Sequence, residues 1–268
     1  SVMGKEDYRI LVVNDGSKDN TAETAKKEGV IVFSHQINSG LAETFRTEMK
    51  EALKLKPEVI VHIDADGQYD PKIIPLMIKE VKKGTDLVLA SRFAGKIEEM
   101  PLLKKFGNKA FSKVISNITH TKITDAQTGF RAFNLKVAEM DMRANYTYTQ
   151  EQIIRAIKEN YSVKEIPCDF RKRREGNSRL ISNPIDYALK AGINLFRVYR
   201  DYAPLKFFGL IGSGLFGLGF LIGLWLAFIH LTAGIEGHIA LMLLTMILIV
   251  TGLQVILFGF LADMKKGN

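Results

Sequence analysis

Residues 59–70 read VIVHIDADGQYD, and the rest of the chain is best interpreted outward from this stretch. Its first half is rich in β-branched residues, which predicts a short buried strand. Asp64, Asp66 and Gln68 follow directly where that strand ends. Oxygen ligands of this kind suit Mg²⁺ or Mn²⁺, which commonly bind one or two carboxylates together with the phosphates of a substrate. The competing interpretation is a polar turn that caps the helix expected from Pro71.

The 268 residues carry a net charge of +8, which is unevenly distributed along the chain. Between residues 207 and 262 the only formal charge is Glu236, whereas the preceding part has the composition of an ordinary globular domain. The length therefore suits one sizeable domain with an apolar appendage. The single cysteine, Cys168, excludes an intramolecular disulfide framework. We expect no nucleic-acid partner.

Predicted strands and helices alternate along the first part of the chain. The strands are expected at residues 9–14, 30–34, 59–63, 86–90 and 162–167. The helices are expected at residues 21–28, 41–55, 71–83, 101–117 and 149–160. This alternation predicts an α/β fold with a Rossmann-like, mostly parallel sheet. Ligands of such sheets bind beyond the carboxyl ends of the strands, where Asp64 and Asp66 are expected.

Further polar groups follow other predicted strands. Ser91 and Arg92 come directly after the strand at 86–90. Residues 125–131, DAQTGFR, read as a turn that enters another short strand, and the basic loop 171–179, RKRREGNSR, follows the strand at 162–167. That loop closes the soluble part of the chain, so we expect it to fold over the two carboxylates.

Residues 180–200 place apolar side chains at helical spacing on one face and polar and basic side chains on the other. Because an apolar segment follows at once, we expect this amphipathic helix to lie in the plane of a membrane interface. The alternative is a helix that packs on the soluble domain.

Residues 207–231 and 239–262 are each long and apolar enough to cross about 30 Å of hydrocarbon. The link at 232–238 is short, which predicts a helical hairpin. Lys and Arg precede the first span and follow the second, so both ends and the soluble domain are expected on the cytoplasmic side. The G-x-G-x-x-G at 212–217 lies inside the first span, which favours close helix packing over dinucleotide binding.

Four motifs in order carry a family resemblance. Asn14-Asp15-Gly16-Ser17-x-Asp19 and Asp64-x-Asp66-Gly67-Gln68 resemble the inverting family 2 glycosyltransferases with the GT-A fold. Asp125-x-x-Thr128-Gly129-Phe130-Arg131 and Arg173-x-x-Gly176-x-Ser178-Arg179 are similar to the polyprenyl-phosphate branch of that family, which includes dolichol-phosphate mannose synthase-like enzymes. The resemblance implies four segments: a GT-A domain at 1–179, a juxtamembrane amphipathic helix at 180–204, two transmembrane helices within 205–263 and a cytoplasmic tail at 264–268.

The sequence departs from the family pattern at two places. The family's opening strand and its Pro-x-Tyr-Asn-Glu-like segment have no match, so we expect the N-terminal strand of the domain to be missing from these residues. Asn14 stands where the family usually has a first Asp.

The resemblance implies a role for each residue of these motifs. Asp64, Asp66 and Gln68 would bind Mg²⁺ or Mn²⁺ on the donor diphosphate, and Asp15 would contact the base or ribose. The donor-binding residues would be Asp15, Asp64, Asp66, Gln68, Arg92, Arg173 and Arg179. The acceptor phosphate would contact Arg92, Arg131 and Ser178. The catalytic residues would be Asp66, Arg131, Arg173 and Glu151, where Glu151 is either a general base or an acid that complements a helix dipole.

The function implied is inverting, metal-dependent transfer of one sugar from a UDP- or GDP-sugar to a polyprenyl (dolichyl) phosphate. The Q-x-x-R-W signature of processive synthases is absent, which favours a single transfer. The expected partners are the nucleotide-sugar, the lipid phosphate and the bilayer, with a possible homo-oligomer through the transmembrane helices. The alternatives are a membrane-anchored nucleotide-sugar-binding or scaffold protein on an inactive glycosyltransferase fold, and an accessory subunit of a transporter.

Overall fold

The computed structural model of this chain describes residues 7–142, 148–172, 184–232 and 237–264. The chain forms two compact units, Ser1–Ala191 and Gly192–Asn268. The first unit contains all the described strands, and the second contains the two longest helices.

The first unit alternates strands and helices, as the sequence predicts. Its strands are β1 (Leu11–Asp15), β2 (Ile31–His35), β3 (Ile60–His62), β4 (Leu87–Ser91), β5 (Arg131–Phe133) and β6 (Val163–Pro167). Its helices are α1 (Thr21–Lys27), α2 (Leu41–Lys54), α3 (Ile74–Lys82), α4 (Leu102–Thr119), α5 (Leu135–Ala138) and α6 (Tyr148–Lys158). A short 3₁₀ turn, Pro71–Ile73, precedes α3 because Asp70 accepts the backbone N–H of Lys72 at 3.1 Å. The α/β prediction is confirmed.

The strands form two hydrogen-bonded sheets among the described residues. β1 and β2 pair in parallel, and β3, β5, β4 and β6 form a second sheet in that order. β4 and β6 are parallel, whereas β5 runs antiparallel to both of its neighbours. Because β5 runs in the opposite direction, its amino-terminal end lies at the sheet edge where β3 and β4 end. The turn at 125–129 that enters β5 therefore reaches the same edge as Asp64 and Arg92.

The core of this unit surrounds the middle of the four-stranded sheet. Every residue of β4 and β5 is buried, and Leu87 and Leu89 have no exposed surface. Met77 of α3 packs in one apolar cluster with Val88 and Ala90 of β4. Because two adjacent strands are buried along their whole length, their ends provide a rigid support for the loops that follow.

The second unit contains an antiparallel pair of helices, α8 (Pro204–Thr232) and α9 (Ile239–Met264). The two backbones approach closely at glycines: a Cβ added at Gly212 would lie 2.6 Å from the carbonyl oxygen of Gly252. Only 11 % and 6 % of their most apolar segments are buried, so most apolar side chains face outward. Both helices are long and apolar enough to cross a membrane by length and composition.

The helix predicted at 180–200 is α7, Pro184–Tyr202, and residues 180–183 lie outside the described part of the chain. Ile193 and Phe196 remain half-exposed on its surface, while Val198 is buried. The ring of Phe196 meets the ring of Phe207 edge to face, with centroids 4.4 Å apart. The half-exposed apolar side chains of α7 are therefore available to contact an apolar environment such as lipid.

Candidate active site

The turn after β3 holds the two predicted carboxylates at the end of the strand. Asp66 Oδ1 accepts the backbone N–H of Gln68 at 3.1 Å, which closes the turn. Gly67 between them has a φ of +71°, a conformation that a residue with a Cβ rarely adopts. Asp64 and Asp66 are both only partly buried, so each remains accessible to a ligand.

The carboxylate of Asp64 is partly enclosed by the protein. Its side chain is 41 % exposed, yet the surrounding protein desolvates the carboxylate, and this is the main reason that its pKa is raised. The negative charge of Asp66 raises this pKa further, while His62 and Arg92 act in the opposite direction. A bound cation would stabilise the ionised carboxylates, so the electrostatics of this turn favour a metal ion.

Gly129, from the D-x-x-T-G-F-R motif, lies directly against this carboxylate. A Cβ added there would lie 2.8 Å from Cγ and 2.9 Å from Oδ1 of Asp64, closer than real Cβ contacts. The neighbouring Tyr69 hydroxyl accepts the backbone N–H of Gly129 at 3.1 Å. The glycine of one motif therefore leaves room for the carboxylate of another, 65 positions earlier in the chain. The sequence analysis assigned no role to Gly129.

The segment that leads into the basic loop is bonded to the D-x-D turn. The backbone N–H of Arg171 donates to the carbonyl oxygen of Gln68 at 2.8 Å, and the Gln68 side-chain amide donates to the carbonyl oxygen of Arg171 at 3.2 Å. The Arg171 guanidinium also donates to Asp70 at 2.6 Å. The basic loop therefore begins beside Gln68 and Asp70. Its predicted phosphate ligands Arg173, Ser178 and Arg179 lie outside the described residues.

Arg92 follows β4 and is buried in an ion pair. Its Nε and Nη2 donate to the two carboxylate oxygens of Asp125 at 2.7 and 2.8 Å. The guanidinium carbon also lies over the ring of Phe170, 5.3 Å from the ring centroid. Burial alone would lower the pKa of Arg92, but the Asp125 hydrogen bonds outweigh it and raise that pKa. Arg92 is only 4 % exposed. The structure thus shows a buried structural contact, and the predicted contacts of Arg92 with phosphate stay a prediction.

Arg131, at the start of β5, is completely buried. Its guanidinium donates to the carbonyl oxygens of Thr128 at 2.9 Å and Thr149 at 2.7 Å, and to Gln152 Oε1 at 2.9 Å. Desolvation lowers its pKa to about 10, so the side chain stays charged at neutral pH. The structure places Arg131 as a link between the β5 turn and α6, whereas the sequence analysis predicted an accessible phosphate ligand. Its catalytic role stays a prediction.

Glu151 lies in the first turn of α6 and is buried. Its Oε1 accepts a hydrogen bond from Nε of Arg155, one helical turn later, at 2.8 Å. This geometry fits the predicted acid of a helix amino terminus better than an accessible general base.

Asp15 closes the end of β1 against the start of α2. Its Oδ1 accepts hydrogen bonds from the backbone N–H of Ser39 and from Nδ1 of His35, both at 2.8 Å, and its Oδ2 accepts the N–H of Gly40 at 3.0 Å. Desolvation acts to raise the pKa of Asp15, but these hydrogen bonds together outweigh it and lower that pKa. The predicted contact of Asp15 with the base or ribose stays a prediction.

His62, the last residue of β3, was missed by the sequence analysis. Its Nδ1 lies 2.7 Å from Glu48 Oε2, and its Nε2 lies 3.4 Å from the Tyr148 hydroxyl and 4.0 Å from Asp64 Oδ1. Because side chains alternate along a strand, a histidine two positions before an aspartate could have been recognised as a neighbour on the same face. His62 thus connects α2 and α6 to the neighbourhood of Asp64.

The donor set at this turn fits a divalent cation that is shared with a substrate. Asp64 and Asp66 offer carboxylate oxygens and Gln68 offers an amide oxygen, which are the ligand types that Mg²⁺ and Mn²⁺ prefer. In the described part of the chain no group of three or more His, Cys, Asp or Glu is arranged to hold a metal ion. An ion bound here would therefore take its remaining ligands from phosphates or water, as is usual for Mg²⁺.

Comparison with known proteins identifies the family. The model of glycosyl transferase family 2 matches residues 2–140. UDP-N-acetylglucosamine–dolichyl-phosphate N-acetylglucosaminyltransferase of Methanococcus voltae is 32 % identical over 59 % of this chain and 72 % of its own length. Dolichol-phosphate mannosyltransferase of Pyrococcus furiosus is 32 % identical over 87 % of this chain and 66 % of its own length.

A solved structure shares the fold of the first unit. Glucosyl-3-phosphoglycerate synthase of Mycobacterium tuberculosis, in complex with Mn²⁺, UDP and glucosyl-3-phosphoglycerate, superposes with a TM-score of 0.52. The match covers 70 % of this chain and 68 % of that one at 13 % identity, so the likeness concerns the fold. Together with the family match over residues 2–140, it shows that this chain belongs to glycosyl transferase family 2 and is a glycosyltransferase with a GT-A-like fold.

Proposed function

We propose that this glycosyltransferase transfers one sugar from a UDP- or GDP-sugar to a polyprenyl (dolichyl) phosphate, with inversion at the anomeric carbon. The observation that carries the proposal is the D-x-D turn after β3, which exposes two carboxylates and is hydrogen-bonded to the first residue of the basic loop. The turn offers a place for the donor diphosphate, and Arg171, which is bonded to Gln68, begins a run of basic residues in the sequence.

The donor would be held by Asp64, Asp66 and Gln68. A divalent cation bound to these residues would neutralise charge on the leaving diphosphate. The protein contributes the position of the ligands, because Gly129 forms the wall behind Asp64 and the Gln68 amide fixes the turn against Arg171. Support for a nucleotide-sugar donor comes from the name of the Methanococcus voltae relative and from the solved synthase, which was crystallised with UDP and Mn²⁺.

The acceptor phosphate would enter from the side of the basic loop. Its oxygen is already ionised, so it can attack the anomeric carbon without a strong general base, and the bond to the donor diphosphate breaks on the opposite face of the sugar. This fits the burial of Glu151, whose carboxylate is bonded within its own helix. Arg173 and Arg179 would stabilise the charge on the two phosphates through guanidinium hydrogen bonds.

A lipid acceptor fits the two apolar helices of the second unit. α8 and α9 would form a membrane hairpin with both ends on the cytoplasmic side, and α7 would lie in the interface with Ile193 and Phe196 facing the lipid. The names of both curated relatives state a dolichyl or dolichol phosphate acceptor for those proteins. The phosphate of the acceptor lipid would then lie at the level of the lipid headgroups.

A donor screen tests this proposal. Purified full-length protein in detergent is incubated with a polyprenyl phosphate, Mg²⁺ or Mn²⁺, and UDP-glucose, UDP-N-acetylglucosamine or GDP-mannose in turn. We expect one donor to give a polyprenyl-phosphate sugar by mass spectrometry, and we expect Asp66→Asn to abolish it. No lipid-linked product from any donor with correctly folded protein would contradict the proposal.

A further inference from the structure

Gln254 is a polar residue in the middle of the apolar helix α9, and its side chain is exposed. Asp263, the nearest charged residue of α9, lies nine positions away, which corresponds to about 14 Å along the helix. The distance from Gln254 back to Ile239 is about 22 Å. If α9 crosses about 30 Å of hydrocarbon, the carboxamide of Gln254 therefore lies close to the midplane of the bilayer.

The side chain of Gln254 points away from α8. The buried residues of α9 are Thr245, Gly252 and Gly259, which are spaced by seven and face α8. Two further positions along an α-helix turn the side chain by about 200°. Gln254 therefore lies on the face of α9 that is opposite to the α8 contact.

Residues with the same spacing of seven continue this outward face. Ile247 and Leu261 lie one heptad before and after Gln254 and are 60 % and 62 % exposed. Thr251, one turn before Gln254, is also exposed. α9 therefore carries two lines of residues seven apart, one used for packing on α8 and one that no described residue covers. Apolar residues that recur every seven positions are typical of a helix that packs along another helix.

A carboxamide at this depth requires a hydrogen-bond partner. Hydrocarbon supplies neither donors nor acceptors, so an unpaired amide there is costly. Among the described residues, the side chain of Gln254 makes no hydrogen bond, and every other residue between Val250 and Gly259 except Thr251 is apolar or glycine. The hydrogen-bond partner is therefore expected on another helix in the membrane.

We propose that α9 pairs with α9 of a second copy of this chain along the face formed by Ile247, Gln254 and Leu261. This inference rests on the membrane hairpin of the proposed function. All copies insert in the same orientation, so two α9 helices related by a two-fold axis along the membrane normal run parallel, and equal residues meet at equal depth. A carboxamide is self-complementary, because the Nε2–H of each Gln254 donates to Oε1 of the other. Hydrogen bonds of this kind strengthen helix association in membranes.

Cysteine cross-linking of the full-length protein in lipid vesicles tests the contact. Ile247→Cys, which lies on the proposed face and keeps Gln254, is compared with Met246→Cys, which lies at nearly the same depth, is 65 % exposed and is rotated by about 100° around the helix. The unsubstituted chain, whose single cysteine Cys168 is buried, gives the background. We expect a disulfide-linked dimer at position 247 at several times the yield at position 246. Equal yields at both positions would overturn the pairing.

A second measurement uses a variant that inserts at least as well as the wild type. Energy transfer between labelled copies is followed as the protein is diluted with lipid, for the wild type and for Gln254→Leu. We expect Gln254→Leu to weaken association by about threefold to thirtyfold. Equal association of Gln254→Leu and the wild type would overturn the proposal. It would also be overturned if the wild type stayed monomeric in vesicles and formed cross-links only with a different protein in host membranes. Alkaline extraction distinguishes a failure of the proposed membrane hairpin from a failure of the α9 pairing. Protein that leaves the membrane refutes the hairpin itself, whereas inserted protein without cross-links refutes only the pairing.

Discussion

Gly129→Ala is the substitution that examines the candidate site most selectively. The added methyl carbon would overlap Oδ2 of Asp64 and would lie 2.8 Å from its Cγ, whereas ordinary contacts begin at 3.4 Å, so the carboxylate has to move by at least about 0.6 Å. Catalytic groups tolerate displacements of only about 0.5 Å, and a shift of about 1 Å can cost a hundredfold in rate. We therefore expect kcat/KM to fall about tenfold or more, which corresponds to about 1.4 kcal/mol of transition-state stabilisation.

The assay measures initial rates of lipid-linked product at varied donor and metal concentrations, with thermal unfolding of the same samples. Gly209→Ala is the matched control, because this helical glycine has no atom within 4 Å of an added Cβ. We expect the control to keep the wild-type rate. A Gly129→Ala variant with wild-type kcat and KM would refute the reasoning, whereas a loss of rate that merely follows a loss of folded protein would assign Gly129 to stability.

Three further predictions concern other parts of the first unit. Arg92→Met leaves the buried carboxylate of Asp125 without its ion-pair partner and should lower the free energy of unfolding by about 3–5 kcal/mol. The double variant Arg92→Met/Asp125→Leu should restore much of this loss in denaturant titrations. An equally unstable double variant would argue against the ion pair. Because the pKa of Asp15 is lowered in the folded state, the stabilisation by its carboxylate is present above the ordinary Asp pKa and is lost as the pH falls. The difference in unfolding free energy between wild type and Asp15→Asn should therefore shrink from about pH 5 to about pH 2. A difference that stays constant over this range would contradict the prediction. Arg173→Lys should cut turnover at saturating donor about tenfold if guanidinium hydrogen bonds to phosphate matter, and wild-type turnover would reduce the basic loop to a membrane anchor.

Much of the first unit could be predicted because its signals are local. The β-branched run before Asp64 and the alternation with amphipathic helices place most strands and helices within two residues of their observed bounds. The antiparallel direction of β5 and the division into two sheets were not predicted, since strand pairing depends on contacts far apart in the chain. The four-residue helix α5 was also missed, because a single turn shows no periodicity.

The side-chain geometry of the site was harder to predict than its location. Arg92 lies in a motif beside the expected phosphates, yet its buried partner Asp125 is 33 positions away and no local pattern announces that pair. Gly129 reads as a turn glycine, and only the fold brings it against Asp64. The apolar hairpin is the opposite case, because composition alone indicates α8 and α9.

The central claim is that the sugar is transferred to the phosphate of a lipid, and an acceptor comparison tests it most directly. Full-length protein receives its radiolabelled donor and divalent cation with a polyprenyl phosphate, with the corresponding polyprenol that lacks the phosphate, or with no lipid, and label is counted in the organic extract. We predict label in the extract only with the polyprenyl phosphate, and its loss in Asp66→Asn. Equal labelling of the polyprenol, or release of free sugar at the same rate without lipid, would contradict the account.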